Sequence, residues 1–341
     1  MDLRRGRRFL AMKVIDFHSH IVPSRYPDRP PGVVEANWPS MEKIDDTHSK
    51  MVIAGRQFRI FESFYWNVAE RIGRLDQEGI TVQVISPLPE LLSYWLAPDA
   101  AEAITDFMNQ FVADMVNAVP RRFAGMGSVA LQDPARAVRQ LEHIQSGLRL
   151  RGVHIGSHVN GVSIADPRFF PFYEAAEALG LFVFVHGIKP GGTELILGPP
   201  LMPAVVGVPQ ETAVAISSLI MTDILGRFPR LRLVFSHGGG TIASVIDRFN
   251  AVWREFEVMR KALAMPPEEY LRRFYYDTVV FGPEYLSYLM KRVGPTQLLA
   301  GTDGPVDFGQ PAVPILLSAA GIGAEDQELI AHANAEALLG A

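Results

Sequence analysis

His18 and His20 stand two residues apart in Asp16-Phe17-His18-Ser19-His20, at the end of an apolar run. Side chains alternate faces along a strand. Two imidazoles at this spacing therefore point the same way and can share one metal ion. Taken alone, the pair is commoner as a structural or chance feature. Three further residues change its weight. His186 ends the run VFVHG, His237 ends VFSHGGG, and Asp303 ends LLAGTDG. Four of the nine histidines and one aspartate thus fall at the polar ends of apolar runs. Three neutral imidazoles with one carboxylate make an N3O shell, suited to Zn²⁺ and able to accept Mn²⁺, Fe²⁺ or Co²⁺. His18, His20, His186 and Asp303 are the expected ligands of one divalent metal per subunit. His237 is left as a general acid or base beside it.

The elements that must position these residues are eight short apolar runs at 14–20, 81–87, 123–129, 152–158, 181–187, 231–238, 274–280 and 298–303. Several are continuously apolar before a polar end, as strands buried on both faces are. The segments between them read as helices. Residues 134–149 place Ala137, Val138, Leu141, Ile144 and Leu148 near a 3.6-residue period. Asp166 and Pro167 read as an N-cap and first helical residue, and Gly180 as the C-terminal stop. Helices are also expected at 67–78, 211–226 and 241–259. Eight such alternations predict a (β/α)8 barrel, whose active site lies where the strands end. A doubly wound open sheet is the competing architecture, but no GxGxxG opens any of the helices. One barrel domain over 12–341 is expected. An insertion at 22–66 would form a small lid, with a hairpin over 50–62 turning at Ala54-Gly55.

Composition narrows the function. A chain of 341 residues with 48% hydrophobic and 20% charged residues should fold around a core. A net charge of −5 gives no reason to expect nucleic acid as a partner. With no cysteine, thiolate metal sites and cysteine nucleophiles are excluded. The basic stretch 1–11 reads as a disordered arm, or as sequence upstream of a true start at Met12. No apolar run approaches a membrane span, so a soluble cytoplasmic protein is expected.

The chain resembles the amidohydrolase superfamily in its HxH, later His, further His and final Asp. Within it, the chain is similar to the aminocarboxymuconate-semialdehyde decarboxylase (ACMSD) family. The resemblance runs from Lys13 onward. It includes IDFHSHIVP at 15–23, LDQEGITVQVISPLPELLSYW at 75–95, PRRFAGMGSVALQDP at 120–134, GVHIGSHVNG at 152–161, FSHGGG at 235–240 and GTD at 301–303. It implies the same four metal ligands and a catalytic His237. It further implies that Arg59 binds a substrate carboxylate and that Arg248 reaches the neighbouring subunit's site in a homodimer. Guanidinium groups suit that task because they grip carboxylates bidentately. The chain departs from the family at His186-Gly187-Ile188, where Pro-Trp is usual after the histidine. It departs again at Leu201 and Ala204, where Trp is usual, and at GTDGPV in place of GTDYPF.

The function expected is a metal-dependent, non-oxidative decarboxylase acting on a carboxylated aromatic or a muconate-semialdehyde-type compound. His237 with Asp303 would manage the proton that replaces CO2. A metal-dependent hydrolase or hydratase acting on a lactone, amide or double bond is the runner-up, and a binding protein that has lost activity the third reading. His154 and His158 lie four apart on the fourth run, an even spacing that also turns strand side chains to one face, but a strand histidine with a backbone partner is the expectation there. The glycines at 238–240 lack the Lys-Ser/Thr of a phosphate loop and should instead allow close backbone approach.

Overall fold

The computed structural model describes residues 12–34, 38–53, 55–305 and 309–340. The expected arm at 1–11, Ala54 of the hairpin turn and Val306 of GTDGPV lie outside them. Eight parallel strands follow one another in chain order: β1 (Ile15–Ile21), β2 (Val82–Pro87), β3 (Phe123–Ser128), β4 (Gly152–Gly156), β5 (Phe182–His186), β6 (Arg232–Phe235), β7 (Tyr275–Asp277) and β8 (Leu298–Leu299). Seven lie within the expected apolar runs, and β1 runs one residue past its own, to Ile21. The ring closes just past β8. Phe17 N donates to the Ala300 carbonyl, Asp303 N to that of His18, and His20 N to that of Gly304, at 2.7–2.8 Å. The open-sheet alternative is thereby set aside.

The barrel is filled rather than hollow. Ile15, Phe17, Met126, Phe182, Phe184 and Leu299 pack inside with Leu338 and Leu339 of the last helix, Asn334–Leu339. Arg232, at the start of β6, donates to the Leu338 carbonyl, so this helix plugs the end where the strands begin. A larger apolar layer lies between strands and helices, with Ile155, Val183, Leu219 and Leu233 among its members.

The expected helices form, and each stops for a local reason. Asn67 caps Val68–Glu78 by accepting from Ala69 N and Glu70 N, and Gly79 ends it in the left-handed region. Pro134–Glu142 runs on into a π turn at His143–Gly147. The segment expected as 211–226 begins earlier, as Val208–Met221, and breaks at Asp223 before Ile224–Arg227. The stretch expected as one helix to residue 259 is Ile242–Glu255 followed by Glu257–Ala262, parted at an extended Phe256.

Contrary to the run-by-run sequence reading, one helical stretch, Pro203–Met221, is apolar and long enough to cross a bilayer, with mean hydropathy 1.4. It buries Ile216, Leu219 and Ile220 in the outer layer, as a core helix does.

The insertion is more than a hairpin. His48–Ile53 and Arg56–Glu62 pair antiparallel as expected, and Ser40–Lys43 adds a third strand. Met51, Phe61 and Tyr65 pack with Leu88, Ile104 and Met108 in a separate apolar cluster. This cluster holds the hairpin against the barrel rim.

Candidate metal centre and cavity

A bulge starts the site. Pairing of β1 with β2 shifts register between Asp16 and Ser19. Ile15 and Phe17 sit in the barrel interior, yet His18 and His20 also point inward, because the bulge turns two consecutive side chains to one face. The period-two reading of His18 and His20 holds from the bulge onward.

His18, His20, His186 and Asp303 are all buried, and one ligand atom from each lies within 4.8 Å of the others. Each imidazole is tied through Nδ1. His18 Nδ1 is 2.5 Å from Asp277 Oδ2, and His186 Nδ1 is 2.8 Å from the Gly187 carbonyl. His20 Nδ1 is 3.2 Å from Ser86 Oγ, whose own hydroxyl donates to the Ser19 carbonyl. All three partners accept, so each Nδ1 carries the proton and each Nε2 offers a lone pair. His18 Nε2 and His20 Nε2 lie 3.1 Å apart, and each is 3.2 Å from Asp303 Oδ1.

Lone pairs packed this way against a carboxylate call for a positive charge among them, and the donor set fits one divalent metal. The same pull for positive charge shows in the titration, where a proton on His18 Nε2 would compete with the ion. Burial works against charge on His18, but Asp303 and Asp277 outweigh it and raise its pKa to about 10. Burial lowers His20 to about 4 and His186 well below its usual value. Asp303 falls well below the carboxylate range, because His18 and His20 outweigh its burial.

His237 joins the group from β6. Its Nε2 is 3.3 Å from His186 Nε2, and burial lowers its pKa. Its backbone takes φ 54°, held by a hydrogen bond from its N to Asp277 Oδ2 at 2.9 Å. The glycines that follow permit close approach, as expected. A Cβ on Gly240 would come within 1.7 Å of the Pro209 carbonyl oxygen.

The sequence reading missed Asp277. Fully buried at the end of β7, it accepts from His18 Nδ1 and from the backbone of His237, Gly238 and Val279. Burial pushes its pKa up, but His18 outweighs that and holds it low. A lone Asp in the middle of the apolar run 274–280 was the available signal. Asp277→Asn should weaken metal affinity by roughly 10–100-fold, the usual effect of losing an outer partner of a ligating histidine. A competition titration against a chromophoric chelator measures it.

A second buried network lies under the end of β1. Arg71 donates to Gln83 Oε1 and to the His20 carbonyl, and Gln83 donates to Asp16 Oδ2. Asp16 also accepts from Thr302 N and Oγ1, next to Asp303. Burial lifts Asp16 to about 6, against the lowering effect of Gln83 and Thr302. Arg71→Met leaves the Gln83 Oε1 and the His20 carbonyl without their donor, and the buried Asp16 carboxylate without its nearby cation. It should destabilise the fold by about 3–5 kcal/mol, read as a lower urea midpoint.

The metal-side residues floor a cavity of about 600 Å³. Leu92, Tyr94, Trp95 and Ile188 make much of its wall, and Arg59 lines it from the inserted hairpin. Ile188 and Ala204 stand where the sequence comparison noted lost tryptophans, but Trp95 and Tyr94 keep the wall aromatic. Arg248 is exposed on Ile242–Glu255 and does not line its own chain's cavity. His154 lies inside the barrel, stacked on His20, with Nδ1 toward the Pro87 carbonyl, the backbone partner expected of it. His158 lies beyond the strand end, near the Lys189 carbonyl.

The amidohydrolase family profile matches residues 15–341. A 2-amino-3-carboxymuconate-6-semialdehyde decarboxylase from Dictyostelium discoideum is 33% identical over 300 residues, covering 87% of this chain and 82% of the relative. The crystal structure of 5-carboxyvanillate decarboxylase from Sphingomonas paucimobilis superposes with a TM-score of 0.78 at 26% identity, covering 97% and 99% of the two chains. A dihydroxybenzoic acid decarboxylase from Polaromonas sp. JS666, solved with manganese and 2-nitroresorcinol, shares the fold with a TM-score of 0.76 at 20% identity, over 96% and 97% of the chains.

Proposed function

The chain belongs to the amidohydrolase family and is a metal-dependent decarboxylase of that family, and we propose that it removes CO2 from a carboxylated aromatic or muconate-semialdehyde-type substrate. The observation that carries this reading is the convergence of three Nδ1-tethered imidazoles on the Asp303 carboxylate, beside a fourth imidazole, at the floor of an apolar cavity. His18, His20, His186 and Asp303 would hold the ion. Zn²⁺ suits these donors best, with Mn²⁺ the alternative. When bound, the ion supplies Lewis-acid polarisation of a substrate oxygen.

The chain's own groups do the rest. Arg59 holds a carboxylate at the cavity wall. The apolar wall excludes water and so strengthens each charge contact inside. The bond between carbon and carboxylate breaks, its electron pair stays on carbon, and CO2 leaves. His237 Nε2, with Asp303 beside it, holds the proton that then adds to that carbon. His237 is placed for this by its tight turn and by Asp277. We further read residues 12–341 as one domain with the 22–66 insertion as its lid. The working unit is a homodimer in which Arg248 reaches the neighbouring cavity, and the cysteine-free composition fits a cytoplasmic setting.

The test is a panel of carboxylated substrates with metal-loaded protein and a chelated control. The expected result is chelator-sensitive CO2 release. Turnover with water added and no CO2 formed would overturn the reading.

A further inference from the structure

We infer that Lys189 is a specificity-determining residue that holds a second carboxylate of the substrate, so that dicarboxylates are preferred over monocarboxylates. This rests on the decarboxylase reading above. Lys189 follows His186 by three residues and lines the same cavity.

Its backbone takes φ 38° directly before Pro190. Glycine takes a positive φ without strain, whereas other residues hold it only where their surroundings enforce it. The proline adds its own restriction on the residue before it. The enforcing contacts are visible. His158 Nε2 lies 3.3 Å from the Lys189 carbonyl. Pro190 packs on Gly207 so closely that a Cβ there would come within 2.6 Å of its ring. A long cationic side chain is thus kept at a position where glycine would be easier.

The ammonium is also placed. It stands 5.2 Å from the centre of the Trp95 ring, itself part of the cavity wall. Among the described residues Lys189 has no carboxylate within ion-pair distance, whereas Lys43, Lys50 and Lys261 each have one. Glu90 lines the cavity too and feels the charge of Arg59; of the other two lining cations, Arg56 and Lys189, it is Lys189 that is held against the Trp95 ring. An ammonium against an aromatic face keeps N–H donors for an anion, and charge-assisted bonds to a carboxylate are among the stronger ones. One substrate carboxylate leaves as CO2 near His237. A cation in the wall above is matched to a second one, which remains in the product.

The test compares metal-loaded wild type, K189M and K189R on a hydroxybenzoate and on its counterpart bearing a second ring carboxylate. Met keeps an unbranched chain against Trp95. In K189M the ratio of kcat/KM for dicarboxylate over monocarboxylate should fall roughly tenfold or more, through KM, and K189R should restore most of it. An unchanged ratio, or equal losses on both substrates, would overturn the assignment. Calorimetric binding of an unreactive benzenedicarboxylate separates the two readings. If wild type decarboxylates neither substrate, the decarboxylase reading is decided by the wider panel described above. Lys189 then still stands or falls on whether K189M weakens that binding.

Discussion

His237→Asn should lower CO2 release by roughly 10²–10⁴-fold, the usual worth of a positioned acid or base, while leaving the metal in place. His237 lies outside the four-residue group whose ligand atoms converge, so its loss should not empty the site. Asn also tolerates the left-handed backbone that His237 adopts at φ 54°. Its N–H can keep the bond to Asp277. The substitution therefore removes a proton carrier and little else. Metal content by plasma emission, read beside kcat, distinguishes the outcomes. A variant with full metal and full turnover would remove His237 from the chemistry. A variant that loses metal and rate together would make it a ligand.

Asp303→Ala should abolish both tight metal binding and turnover, and added metal should not rescue it. Asp303 is the carboxylate to which His18 Nε2 and His20 Nε2 both turn. Without it three imidazoles remain, with no anionic ligand to offset a divalent charge. Wild type stripped by chelator should lose turnover and regain it on adding Zn²⁺ or Mn²⁺. It should also lose stability, because an ion that binds only the folded chain at 100 times its dissociation constant contributes about 2.7 kcal/mol. Matched thermal melts of stripped, reloaded and Asp303→Ala protein read this. Asp303→Ala should melt alike with and without metal.

Much of this was legible before any coordinates. Apolar runs marked all eight strands, several of them continuous because a strand buried on both faces cannot alternate. Polar residues at the run ends marked His18, His20, His186, His237 and Asp303, because barrel strands deliver their last residues to one mouth. The bulge that turns Phe17 and His18 both inward was not legible, since register depends on the partner strand. Arg71 was missed for a related reason. Its helix carries a polar face on which a buried arginine reads like an exposed one, and only the packing of Gln83 and the His20 carbonyl sets it apart. Ser40–Lys43 is short and mostly exposed, so it carries no alternation to read. Lys189 gave no signal because its placement depends on Trp95, 94 positions earlier by residue number.

The most direct test of the central claim is product analysis in deuterated water with metal-loaded protein and a substrate that turns over. The account predicts one CO2 released for each substrate consumed, and one deuteron on the carbon that carried the carboxylate. A product that retains its carboxylate and gains the elements of water would contradict it, and would make the same centre that of a hydrolase or hydratase.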